Sequence, residues 1–107
     1  MSDILGHLEE QVLLAVQSLK DNAYGVTIRE EIEKCTGRKI SYGTVSITLM
    51  RLQKKDFVSS WVSGPVKVRG GRSKRYYKIE GEGVEALFRT RQLRDKLTNW
   101  PGVPNYV

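Results

Sequence analysis

The stretch from Phe57 to Ile79 restricts the folds open to this 107-residue chain more than any other. Phe57-Val58-Ser59-Ser60-Trp61-Val62 and Tyr76-Tyr77-Lys78-Ile79 are rich in β-branched and aromatic residues, which fit a pleated surface. Between them lie Gly64, Pro65, Gly70 and Gly71, together with Lys67, Arg69, Arg72 and Lys74. Two strand-like runs joined by such a segment predict a long β-hairpin with a cationic loop. The adjacent Gly70 and Gly71 let the backbone turn sharply or approach another surface closely. A basic hairpin of this kind can lie along a phosphate backbone. It can also be a solvated arm whose charge only confers solubility.

The segment ahead of the hairpin predicts three helices. Over residues 4–20, Leu5, Leu8, Val12, Val16 and Leu19 recur every three or four positions. Leu13, Leu14 and Ala15 widen that stripe enough to reach more than one neighbour. Asp21-Asn22-Ala23-Tyr24-Gly25 ends the helix, with Gly25 free to take positive φ. Thr27-Ile28-Arg29-Glu30 reads as a capping box opening a short second helix, which stops at Gly37. Ser41 is suited to cap a third helix from Tyr42 to Lys55. Val45, Leu49 and Leu52 share one face of it and predict the core side. Gly43, Ile47, Met50 and Lys54 lie opposite, flanked by Thr44 and Arg51. Ile47 reads there as a contact to thymine methyl groups or deoxyribose in a groove. Met50 fits that role and a core position equally.

After the hairpin, Glu80-Gly81-Glu82-Gly83 opens a fourth helix with acids at its positive end. It runs to about Asn99, before Pro101 and Pro104 break regular structure. Val84, Leu87 and Phe88 form one apolar stripe, suited to the helix's own domain. Ala86, Thr90, Leu93, Leu97 and Trp100 form another, displaced by roughly half a turn. A small domain seldom hides both stripes of a terminal helix, so the second predicts a homodimer. The wide face of residues 5–19, with Leu5 and Leu8, offers the complementary surface. The competing arrangement is a monomer in which residues 101–107 fold over Trp100.

Charge is segregated along the chain. Residues 1–36 carry three Lys/Arg against seven Asp/Glu, residues 37–78 eleven against one, and residues 79–107 four of each. A basic middle of net +10 points to an anionic partner, and duplex DNA fits the helix-and-hairpin order. Lys39, Lys54, Lys67, Arg69, Arg72 and Lys74 are the expected phosphate contacts, and Thr44, Ile47 and Arg51 the expected readers of sequence. The alternative is a winged helix that meets an acidic protein partner.

Other classes fit less well. Cys35 and His7 are the only cysteine and histidine, so the chain alone can assemble neither a disulfide nor a structural zinc site. Both read as ordinary helix residues, and a reducing cytoplasm suits the lone thiol. No apolar run approaches the roughly 20 residues of a membrane span. Met1-Ser2-Asp3 lacks the start of a signal peptide. The acids cluster on an outer helix face and a helix start rather than converging, so neither an enzyme nor a cofactor is expected.

Three helices, a two-stranded wing and a further helix define a mainly α, α+β winged helix-turn-helix. Several of its residues carry a resemblance: Ala23-Tyr24-Gly25, Ile40-Ser41-Tyr42-Gly43-Thr44-Val45, Leu49, Arg51-Leu52, then Arg69-Gly70-Gly71-Arg72-Ser73-Lys74-Arg75-Tyr76-Tyr77 and Gly83. Together they resemble the PadR family of bacterial transcriptional regulators over roughly residues 5–90. That resemblance implies a dimeric DNA-binding protein, usually a repressor, in some members released by a small ligand or stress signal. It implies Tyr42, Gly43 and Thr44 near phosphates or base edges, and Arg69, Arg72 and Lys74 on the wing. Residues 1–80 would be the DNA-binding domain, 81–100 the dimerisation helix and 101–107 a tail. Ser46 and Ile47 stand where the family usually has Tyr-Pro, which implies local repacking beneath the third helix. Met50 replaces a residue that is often basic or polar, and Glu80 replaces a threonine.

Overall fold

The computed structural model describes residues 4–63, 73–99 and 101. Its elements are α1 (His7–Leu19), a short 3-10 turn (Lys20–Asn22), α2 (Gly25–Thr36), α3 (Tyr42–Lys54), β1 (Val58–Val62), β2 (Arg75–Ile79) and α4 (Gly81–Thr98). The expected order of three helices, hairpin and helix is present.

Packing follows the apolar spacing. Val12, Leu13 and Val16 of α1, Ile28 and Ile32 of α2, and Val45, Leu49 and Leu52 of α3 form one buried cluster. Phe57 and Val58 close it from the hairpin side, and Ala86 and Leu87 from α4. Removal of these side chains from water is the main force holding the three elements of the helix-turn-helix together.

The strands pair antiparallel, with Ser60 opposite Tyr77 and Trp61 opposite Tyr76. The other edge of β2 is occupied too: Tyr24 bridges to Tyr76, and Tyr77 N donates to Ala23 O at 2.8 Å. The residues entering α2 thus act as a third rung of the sheet. This ties the wing to the helix-turn-helix.

Two helix ends differ from expectation. α2 begins at Gly25 with Tyr24 as its cap, so Thr27 lies inside the first turn. The Thr27 hydroxyl accepts from Tyr24 N at 3.0 Å and donates to Asn22 O at 2.6 Å. Gly25 is there for space rather than for positive φ: a β-carbon on it would lie 2.5 Å from Tyr42 Cε1. The third helix ends at Lys54, and Asp56 turns the chain toward the hairpin at φ 63°. Gly37 does terminate α2 in the left-handed region, its N–H donating to Glu33 O at 2.9 Å.

The fourth helix keeps Leu87 on the domain side and Leu93 and Leu97 outside, as expected, but exchanges the places of Val84 and Phe88 with Ala86 and Thr90. Gly83, Ala86, Leu87 and Thr90 face the domain, whereas Val84 and Phe88 are exposed. Gly83 decides this, because without a side chain it lets α4 settle against the Phe57 carbonyl and Ile79. Thr90 then accepts from Leu5 N at 3.0 Å. Leu5 and Ala86, expected at a dimer surface, are therefore interior to the protomer and offer nothing to a second copy. Beyond Thr90 every described residue of α4 is exposed, Leu93 and Leu97 among them. Arg94 is paired with Glu10 at 2.6 Å, which holds this half of the helix to α1.

Candidate nucleic-acid interface

The outward face of α3 is built by the inward one. Val45, Leu49 and Leu52 fix the helix to the core, which turns Gly43, Thr44, Ile47, Met50, Arg51 and Lys54 to solvent. Ser41 caps the start: its Oγ accepts from Thr44 N at 3.1 Å and lies 2.7 Å from Thr44 Oγ1. Ile47 is 50% exposed and Met50 63%. Both are thus outside the core, which removes the core alternative for Met50. The other end of α3 is braced from α1 by the Lys55–Glu9 ion pair at 2.8 Å. Burial alone would raise the Glu9 pKa, but the Lys55 hydrogen bond, the Gly6 N–H and the charges of Lys55 and Arg51 outweigh it and hold the carboxyl below its usual 4.5.

Tyr42, at the first position of α3, is half-exposed and seats its ring on Gly25. Beside it a cleft opens between the starts of α2 and α3 and strand β2, lined by Tyr24, Ser46, Lys74, Arg75 and Tyr77 among others. Arg75 was not expected there. Strand alternation is the signal that finds it, since Arg75 and Tyr77 share one face of β2 and Tyr76 takes the other. Arg75 Nη1 donates to Ser60 Oγ across the hairpin at 3.0 Å. Burial pushes the Tyr77 hydroxyl above its usual 10.0, Arg75 pulls it down and Tyr42 adds to the rise, so Tyr77 stays neutral at physiological pH.

Lys39 is exposed in the turn before α3, and Lys54 on its last turn. Lys74 lies at the foot of the wing, where its Nζ donates to Tyr24 Oη at 3.3 Å. Lys67, Arg69, Gly70 and Arg72 lie outside the described residues, as does Trp100. Exposed cations therefore flank an exposed α3 that carries both polar and apolar side chains. Such a surface can neutralise phosphates at its rim and meet base edges and methyl groups at its centre.

The model of the transcriptional regulator PadR-like family matches residues 4–89. The chain belongs to the PadR-like family. Its match spans α1, α2, α3, both strands and the first half of α4. As a PadR-like protein it is a DNA-binding transcriptional regulator, and the family is one of regulators rather than enzymes.

Solved structures agree on the fold. A PadR-like transcription factor from Bacteroides fragilis is similar with a TM-score of 0.72 and 25% identity, covering 86% of this chain and 84% of that one. A PadR family transcription regulator from Clostridium difficile R20291 has a TM-score of 0.68 and 24% identity over 88% and 96% of the two chains. A Streptococcus transcriptional regulator has a TM-score of 0.68 and 24% identity over 86% and 85%. No curated protein matches the chain. Among the described residues, no helix is long and apolar enough to cross a membrane.

Proposed function

We propose that this PadR-like protein is a homodimeric repressor that lays α3 in the major groove of its operator and its basic wing along the adjacent phosphates. The exposed face of α3 carries this reading. Ile47 and Met50 stand in water beside Thr44, Arg51 and Lys54. Exposed apolar area is costly, by roughly 25 cal/mol per Å² left uncovered, and a groove with thymine methyl groups and deoxyribose would cover it. Thr44, Ile47 and Arg51 would read bases. Lys39 and Lys54, with Lys67, Arg69 and Arg72 of the wing, would hold the backbone, and Gly70 would let the wing approach it. Occupation of a promoter in this way blocks other proteins from the same groove, which is repression in its simplest form.

Salt titration tests the electrostatic half. Binding to duplex DNA should weaken as salt rises, and Arg69→Ala with Arg72→Ala should reduce the log–log slope by about 0.9 for each lost phosphate contact. An unchanged slope removes the wing from the interface.

The dimer rests on the overhanging half of α4. Leu93 and Leu97 are 38% and 47% exposed on a helix that has already met its own domain through Ala86, Leu87 and Thr90. A second copy would cover them, together with half-buried Leu8 of α1; Trp100, of the same sequence stripe, would join that contact. On this reading residues 1–80 are the DNA-binding unit, 81–100 the dimerisation helix and 101–107 a tail. Sedimentation should give a dimer for the intact chain at micromolar concentration and a monomer for Leu93→Glu/Leu97→Glu. A dimer that survives both changes sits elsewhere.

A further inference from the structure

The root of the wing is held by a ladder of side chains that groove reading leaves unused. Trp61 stacks on Tyr76 with ring centroids 5.8 Å apart, and Tyr76 meets Tyr24 edge-on at 5.3 Å. Lys74 closes the ladder. Its Nζ lies 4.4 Å from the Tyr24 ring centroid as well as within hydrogen-bond reach of Oη. Its backbone is fixed at the same time: Ser63 N donates to Lys74 O at 2.9 Å, and Lys74 N donates to Ser63 Oγ at 3.0 Å. Ser63 and Lys74 thus face each other where the two strands leave the sheet.

An exposed lysine normally keeps its ammonium in water, with many rotamers open to its flexible stem. Here the ammonium is committed to a ring that belongs to another part of the fold. Tyr24 caps α2, and α2 carries Gly25, the seat of Tyr42 at the start of α3. The contact therefore links the exit of the wing to the helix against which α3 is placed. Lys74 stands one residue ahead of β2 at the edge of the cleft beside α3, and there its ammonium is turned onto Tyr24.

We propose that Lys74 is a positioning residue: through Tyr24 it sets the direction in which the wing leaves the sheet, and it does not itself neutralise a phosphate. This deepens the DNA-binding reading and rests on it. The test is a double-mutant cycle read as affinity for a random-sequence duplex over a range of salt. Lys74→Met should weaken binding about two- to fivefold in the wild-type protein and by no further factor once Tyr24 is changed to leucine. A direct phosphate contact instead gives the same loss in both backgrounds, with a slope smaller by about 0.9 each time. That result overturns the proposal. If Tyr24→Leu impairs folding, Tyr24→Phe keeps the ring and removes the hydroxyl. In that background the loss from Lys74→Met should shrink, and an undiminished loss overturns the proposal equally. In the free protein, the Lys74 Cε protons should be shifted upfield by the Tyr24 ring, and unshifted resonances would refute the contact. A wild-type protein that binds no duplex defeats the DNA-binding reading, while the upfield shift, which needs no DNA, still confirms or refutes the Tyr24–Lys74 contact.

Discussion

Gly83→Ala should destabilise the fold by about 3 kcal/mol and lower Tm by more than about 10 °C. At an ordinary position inside a helix the same exchange is favourable by about 1 kcal/mol. Geometry reverses the sign. A methyl group on Gly83 would lie 2.9 Å from Ile79 Cγ1 and closer still to the Phe57 carbonyl oxygen. That carbonyl is backbone and already accepts from Glu80 N at 2.9 Å, so it cannot rotate away. The helix would have to lift, drawing Ala86, Leu87 and Thr90 out of their contacts. Thermal and urea unfolding of the two proteins check this. An alanine variant as stable as the wild type would mean that α4 packs less closely than described.

Leu49→Ala should cost about 2–5 kcal/mol, while Ile47→Ala, two residues away on the same helix, should cost less than about 0.5 kcal/mol. Leu49 is 1% exposed and Ile47 50%. Truncation of the first leaves a cavity between α3 and the rest of the core. Truncation of the second removes methyl groups from water. The contrast in urea midpoints measures whether α3 is divided into a structural and a solvent face. Comparable losses from both changes would make Ile47 a core residue and remove it from any groove.

How much of this was legible in the sequence depends on how local the determining contact is. The cap at Ser41 and the core face of Val45, Leu49 and Leu52 follow from short-range rules and are found as expected. The hairpin follows from its two strand-like runs, and Gly37 from its place after the last turn of α2. The start of α2 does not follow, because Thr27 satisfies the local pattern of a cap while Gly25 answers to Tyr42, a residue of another helix. The inward places of Ala86 and Thr90 on α4, expected of Val84 and Phe88, do not follow either, for a similar reason. A helical wheel weighs side chains, and the residue that brings α4 closest to the domain is Gly83, which has none. Arg75 is within reach of the alternation rule, which puts it on the Tyr77 face of β2, although charge alone does not set it apart from the arginines of the loop. The Lys74–Tyr24 contact joins residues 50 positions apart, and no local rule predicts it.

The central claim is that the exposed face of α3 reads duplex DNA. Selection of bound fragments from random DNA, run in parallel for the intact protein and for Ile47→Ala, tests it most directly. The account predicts a two-fold-symmetric site with half-sites about 34–36 Å apart, or a multiple of that spacing. It also predicts that Ile47→Ala relaxes preference at one or two positions of each half-site, by roughly 1–3 kcal/mol, with little change in affinity for other DNA. An intact protein that enriches no sequence, or a variant that retains the full wild-type preference, would contradict it.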